Sequence, residues 1–143
     1  MSAVIRESVA ADAEAIAALH VATWRETYAH LLPEDFFTDE VLERRRRMWT
    51  RILAQPRREH VVRVAESDGE LIGFAMSGIS DEGMPQLYML YVVAAQHGSG
   101  IGQGLFDAVI PAGPADLWVA KENPRAIAFY RRNGFTFDGA EQT

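Results

Sequence analysis

The hydrophobic period changes several times along this chain, and each change marks an element. Val4 to Val9, with Ile5 as its apolar residue, suits an opening strand. Ile16, Leu19, Trp24, Tyr28 and Leu31 then recur at helical spacing. They form the apolar stripe of an amphipathic helix entered through the acidic Asp12 and Glu14, and Pro33 breaks it. A second helix is expected from Asp35 to Ala54, burying Leu42, Trp49, Ile52 and Leu53 and closed by Pro56.

From His60 the period falls to two. His60 to Ala65 alternates and runs into Ser67-Asp68-Gly69, a hairpin signal. Leu71 to Ile79 is the returning strand, interrupted by Gly73 and Gly78. Gln86 to Val93 is aromatic, β-branched and free of charge, as a central strand should be. A glycine loop follows, then Ile101, Leu105 and Val109 on one helical face, ended by Pro111 to Pro114. Leu117 to Ala120 reads as a short buried strand. Asn123 and Pro124 fit N-cap and N1 of a last helix, with Gly134 just past its end, and Phe135 to Asp138 begins a final strand. The order implies one α/β (α+β) domain over residues 1–143, with a mixed sheet and helices on both faces.

Composition narrows the chemistry. Of the 143 residues 48% are hydrophobic and 24% charged, the balance of an ordinary globular chain. The net charge of -6 argues against broad nucleic-acid binding and mildly favours cationic partners such as amines. No apolar run is long enough for a membrane span, and no basic segment leads into an apolar stretch at the N-terminus. No membrane association and a cytoplasmic location are therefore expected. Without cysteine there are no disulfides, thiolate metal sites or cysteine nucleophiles, and His20, His30 and His60 lack ligand spacing, so no metal is assigned. Arg44 to Arg47 covers all sides of a helix and reads as a solvated run paired with Glu40 and Glu43.

Gly98, Gly100, Gly102 and Gly104 alternate between a strand and a helix start. Bare backbone there can turn tightly and offer N–H groups to an anion, beside the positive end of the helix. The spacing is not that of a dinucleotide fingerprint, since Gln103 and Leu105 stand where its third glycine would be. The lysine of a nucleotide phosphate loop is also absent. Gly104, inside the helix, costs about 1 kcal/mol against alanine and implies close packing on the sheet.

Leu90-Tyr91-Val92 with His97-Gly98-Ser99-Gly100-Ile101-Gly102 resembles the acetyl-CoA motif of the GNAT N-acetyltransferase superfamily. Asn123-Pro124-Arg125-Ala126-Ile127-Ala128-Phe129-Tyr130, then Asn133-Gly134-Phe135, is similar to that family's N-x-x-A-x-x-F-Y…G-F segment. The resemblance implies a mostly antiparallel sheet whose central strands splay. Acetyl-CoA would be the acyl donor, and a primary amine of a small molecule, polyamine or peptide the acceptor, attacking directly in a ternary complex. It places backbone groups of Leu90 and Val92 on the pantetheine arm, with the N–H near Leu90 toward the thioester oxygen, and counts Tyr91 between them among the cofactor-binding residues. The loop from His97 through Gly98, Ser99, Gly100, Ile101 and Gly102 takes the pyrophosphate. Asn123 contacts coenzyme A, and Tyr130 is the acid for the leaving thiolate.

Trp24-Arg25-Glu26-Thr27-Tyr28, followed by Leu32-Pro33, is similar to a pattern of many bacterial members. Trp24 and Tyr28 either line the acceptor pocket or pack in the core. Three departures stand out. His97 replaces a glutamine or arginine. Gln86, which cannot take a proton, stands where some members carry a glutamate, leaving Tyr88 on the same strand face to order a water. The family's returning C-terminal strand is missing, so truncation or a partner subunit in a homodimer would have to account for it. Two other readings stay open: a catalytically silent acyl-CoA-binding module of the same fold, and a nucleotide-binding regulator.

Overall fold

The computed structural model describes residues 3–28, 38–54, 60–80, 83–111, 113, 115–117 and 123–136, with Thr27 and Tyr28 as backbone alone. Strand β1 (Val4–Glu7) passes through a 3₁₀ turn (Ala10–Asp12) into α1 (Ala13–Tyr28), and α2 is Asp39–Ala54. Then come β2 (Val61–Ser67), β3 (Glu70–Ile79), β4 (Pro85–Val92), α3 (Ile101–Val109), β5 (Asp116–Leu117) and α4 (Pro124–Arg132). The strands form one sheet in chain order, antiparallel from β1 to β4, with β5 parallel to β4. This is the mixed, mostly antiparallel architecture expected.

Local chemistry sets the element ends. β1 stops at Glu7 because the Asp12 carboxylate accepts from the Val9 N–H at 2.8 Å and binds Arg6 at 2.9 Å, turning the chain early. Asp68 (φ 52°) and Gly69 (φ 82°) form the left-handed pair of a tight hairpin between β2 and β3. Asn123 caps α4 by accepting from the Ala126 N–H at 3.1 Å. Gly134 (φ 90°) turns the chain out of α4. Phe135 and Thr136 are irregular, and the rest of the expected last strand lies outside the described residues. So do residues 29–37, with Leu31 and Pro33, and Trp118 to Ala120 of the expected strand at 117.

The sheet separates two apolar layers. Against one face α1 and α2 bury Ile16, Trp49, Val64 and Phe74, with Met89, Tyr91 and Val93 packed beside them. Against the other, α3 buries Leu105 and Val109 with Ala75 and Leu87, and Leu90, Val92, Phe129 and Tyr130 complete the layer. Gly104 is where α3 meets β1: a Cβ there would fall 2.5 Å from Ile5 Cδ1. That contact accounts for a glycine inside a helix. The arginine run is largely surface: Arg46 pairs with Glu43 at 2.6 Å and reaches Glu14 at 3.8 Å, and Arg47 reaches Glu43 at 3.8 Å.

One irregularity shapes β4. Met76 pairs with Met89, but the next residue of β3, Ser77, pairs with Leu87, so Tyr88 is the extra residue of a bulge. The Tyr88 ring lies over Gly78, within 2.6 Å of where a Cβ would be. The interrupted alternation puts Leu87 and Leu90, three positions apart, in the same apolar layer.

His20 is a polar group sealed into the α1–α2 layer at 3% exposure, with its ring against Trp49, Phe74 and Tyr91. Trp49 Nε1–H donates to His20 Nδ1 at 3.2 Å, which requires an unprotonated Nδ1. Burial first, and then the nearby Arg45 charge, push the imidazole from its ordinary value of 6.5 down to about 4.

Two predictions follow from the core. The unfolded chain takes up a proton at His20 before the folded one does, so stability falls as pH drops from about 6.5 to about 4, by up to about 3 kcal/mol. Urea unfolding across that window should show the slope, and His20→Gln should flatten it; an identical slope in the variant would show that His20 is not its source. Separately, Gly78→Ala should destabilise by about 1–3 kcal/mol because the Tyr88 ring must move. In a Tyr88→Ala background most of that penalty should vanish, and an equal penalty in both backgrounds would clear the ring as the obstacle.

Candidate active site

The free edge of β4 is the starting point. In an antiparallel ladder alternate residues exchange both backbone bonds with the partner strand. The Val93 N–H donates to Ile72 O at 3.0 Å, which fixes the phase. Tyr91 and Met89, paired with Phe74 and Met76, therefore turn their N–H and C=O toward β3. Leu90 and Val92 turn theirs away from it. On that outer side β5 pairs only with Gln86 and Leu87, so from Tyr88 to Val92 no strand covers the edge among the described residues.

The edge leads into the glycine loop. A 3₁₀ turn at Ala94–Gln96 uses the His97 N–H on Ala94 O and the Ser99 N–H on Gln96 O. Gly98 (φ 84°) and Gly100 (φ 92°) adopt left-handed backbone that side chains resist, and nothing lies within 4 Å of a Cβ at either. The first helical bond of α3 is Gly104 N–H to Gly100 O. Among the described residues, the N–H groups of Gly98, Gly100, Gly102 and Gln103 meet no acceptor. They lie at the positive end of α3 and bear on an open cleft of about 600 Å³.

Helix α4 supplies the opposite wall through Asn123, Arg125, Phe129, Tyr130 and Arg132. A reciprocal amide pair ties it to α3: Gln103 Nε2 donates to Asn133 Oδ1 at 2.9 Å and Asn133 Nδ2 to Gln103 Oε1 at 3.2 Å. Phe129 packs edge-on to Phe106 with centroids 5.9 Å apart, and the Tyr130 ring is held between Phe129 and Phe135 at 5.4 and 6.0 Å. Tyr130 is thus half-buried, with an apolar mount and a place in the cleft wall.

The third wall is the end of α1. Trp24 Nε1–H donates to the Tyr91 hydroxyl at 2.8 Å, and Glu26 Oε1 accepts from the Ala94 N–H at 3.1 Å. Thr23 and Glu26 border the cleft. Glu26 thus ties α1 to the start of the loop.

The fold thus brings together in one cleft Tyr88, Leu90, Tyr91, Val92, His97, Gly98, Gly100, Gly102, Asn123 and Tyr130. Other residues singled out from the sequence stand outside its lining. Trp24 is anchored on Tyr91. Ser99 spends its hydroxyl on Gln96 O at 2.6 Å, and Ile101 packs into the α3 layer. Gln86 lies at the closed end of β4, between Gly78 and Asp116. Tyr88 borders the cleft with its hydroxyl on Ile79 O at 3.3 Å and its ring edge-on to His60. The Tyr28 side chain lies outside the described residues. Sequence reasoning passed over Gln103, Asn133, Arg125 and Arg132; the only available signal was their place inside or beside the two motifs. Among the described residues, no group of three acidic or histidine side chains is placed to hold a metal, and no helix is long and apolar enough to cross a membrane.

Known proteins are similar to this chain in sequence and in fold. An uncharacterised N-acetyltransferase of Mycobacterium tuberculosis is 32% identical over 93 residues, 61% of this chain and 58% of that protein. Another, from Bacillus subtilis, is 28% identical over 138 residues, 89% of this chain and 76% of that protein. In the first case the matched chain thus spans 58% of the relative's length. In structure the chain is similar to the PaiA N-acetyltransferase of Thermoplasma acidophilum solved in complex with coenzyme A, with a TM-score of 0.83 and 22% identity over 99% of this chain and 94% of that one. The profile of the Acetyltransferase (GNAT) family matches residues 13–135. That match runs from the first residue of α1 to the residue after the Gly134 turn, taking in both apolar layers and the cleft between them: the chain belongs to the GNAT acetyltransferase family.

Proposed function

We propose that this chain is an N-acetyltransferase that binds acetyl-CoA along β4 and the glycine loop and acetylates a primary amine. The observation that carries the reading is an open strand edge running directly into a loop of unspent N–H groups. A ligand with an extended amide-bearing arm and a diphosphate matches both parts at once. The residues present fit coenzyme A on this ground, and the solved relative bound to coenzyme A supports it.

In this reading the N–H groups of Gly98, Gly100 and Gly102, at the positive end of α3, hold the diphosphate. Arg125 and Arg132 add positive charge at the same cleft. The outward C=O of Leu90 and N–H of Val92 would take the arm as a strand edge takes a peptide. When bound, acetyl-CoA supplies an acetyl group activated as a thioester. The Leu90 N–H would be the donor that stabilises charge developing on the thioester oxygen.

Tyr130 acts as the acid for the departing thiolate. Its phenol is a proton donor mounted on apolar rings, and its place in the wall keeps that donor at the cleft. The amine enters from the α1 side, where Thr23, Glu26 and Tyr88 border the cleft, and attacks in a ternary complex. Glu26 is the acid of that wall, and the net charge of -6 favours a cationic acceptor. With Gln86 unable to take a proton, water ordered at Tyr88 would carry the amine proton away.

Calorimetry should show acetyl-CoA binding and no NAD binding, and thiol release should follow on adding amines from a panel. Tyr130→Phe should lower kcat about a hundredfold or more while leaving acetyl-CoA affinity nearly unchanged. Failure of the wild type to bind acetyl-CoA would overturn the whole reading. Binding without thiol release from any amine would favour the silent module, and turnover indifferent to Tyr130→Phe would remove that residue from the acid role.

A further inference from the structure

The His97 imidazole makes a contact that the turn of the glycine loop does not require. Its Nε2 lies 2.9 Å from the carbonyl oxygen of Val92. A carbonyl only accepts, so the nitrogen facing it carries a proton. The bond therefore survives both in the neutral Nε2–H tautomer and in the imidazolium. Val92 is the last residue of β4, and its carbonyl, like that of Leu90, points off the uncovered edge. The short turn at Ala94–Gln96 folds the chain back so that residue 97 reaches residue 92. Going along the edge, Leu90 N–H, Leu90 C=O and Val92 N–H are open, and the next acceptor is capped.

We propose that His97 is a positioning residue that ends the open edge of β4 and so fixes where an extended ligand leaves the strand for the glycine loop. The proposal rests on the coenzyme A reading above. An arm paired with Leu90 and the Val92 N–H cannot slip further along the strand, because the acceptor that such a shift would need is occupied by the ring. Strand registers are weakly specified wherever alternative partners remain available, and a capped carbonyl removes one alternative. The same bond holds the first residue of the loop against the strand. The Gly98 and Gly100 N–H groups are then already oriented when the diphosphate arrives, and less ordering is left to binding.

Calorimetry with coenzyme A on four proteins tests this: the wild type, His97→Ala, His97→Gln and His97→Asn. The glutamine amide reaches as far as Nε2 and can donate to Val92 O; the asparagine amide is too short. Expected is a three- to tenfold loss of affinity in His97→Ala and His97→Asn, about what one solvent-exposed hydrogen bond supports, with recovery in His97→Gln. With an acceptor found, KM for acetyl-CoA should rise in the same order while kcat stays level, as for uniform binding. Thermal unfolding of all four without ligand should coincide, which separates positioning from a fold defect. A wild type that fails to bind coenzyme A overturns the underlying reading. A wild type that binds, with His97→Ala binding equally well or His97→Gln as weak as alanine, overturns this proposal alone.

Discussion

Among the described residues, strand β4 has a partner along its length on one side and only at Gln86 and Leu87 on the other. Buried backbone groups without partners cost about 1–3 kcal/mol each, so a sheet does not leave an inner edge open without compensation. Here the compensation is a cleft that water or a ligand can enter. The bulge at Tyr88 lies where the open stretch begins, and bulges bend a strand and increase its local twist. Every other part of the site is arranged around that opening.

The helices hold it from three directions. α3 is drawn close to the sheet by Gly104 on Ile5, which brings its positive end to the end of the edge. α4 is tied to α3 by the Gln103–Asn133 amide pair, so the Tyr130 wall moves with the glycine loop. The end of α1 is fixed to β4 and the loop by Trp24 on Tyr91 and Glu26 on Ala94. The ties of α4 and α1 are a few polar bonds at the rim of apolar layers, which leaves the walls of the cleft less rigid than its base.

The α1–α2 layer also connects core chemistry to the cleft. Tyr91 lines the cleft, receives the Trp24 bond and stacks with His20 at 5.2 Å, and His20 in turn accepts from the fully buried Trp49. A histidine sealed among aromatic rings thus lies directly against the strand that borders the cleft. Satisfying the Trp49 N–H inside the core is its structural use, and sensitivity to acid is the consequence.

Much of this was legible in the residues alone. The hairpin at Asp68-Gly69, the framing of α4 by Asn123, Pro124 and Gly134, and the glycine loop at Gly98 to Gly102 all follow from local rules: left-handed backbone favours glycine, and helix ends need caps. The apolar periods likewise determined the elements and their order, because burial of one face is a property of a short segment. The early end of β1 was not visible, since it depends on Asp12 meeting Arg6. Nor was the bulge, which depends on Gly78 making room for the Tyr88 ring. The two ties of the loop, Glu26 to Ala94 and His97 to Val92, belong to the same class. A glutamate on a helix and a histidine in a loop carry no sign of what they will touch. The sequence by itself determined where a glycine loop joins a strand to a helix; the tertiary structure alone decided which strand edge stays open beside it and which side chains hold the two in register, because those contacts join residues that only folding brings together.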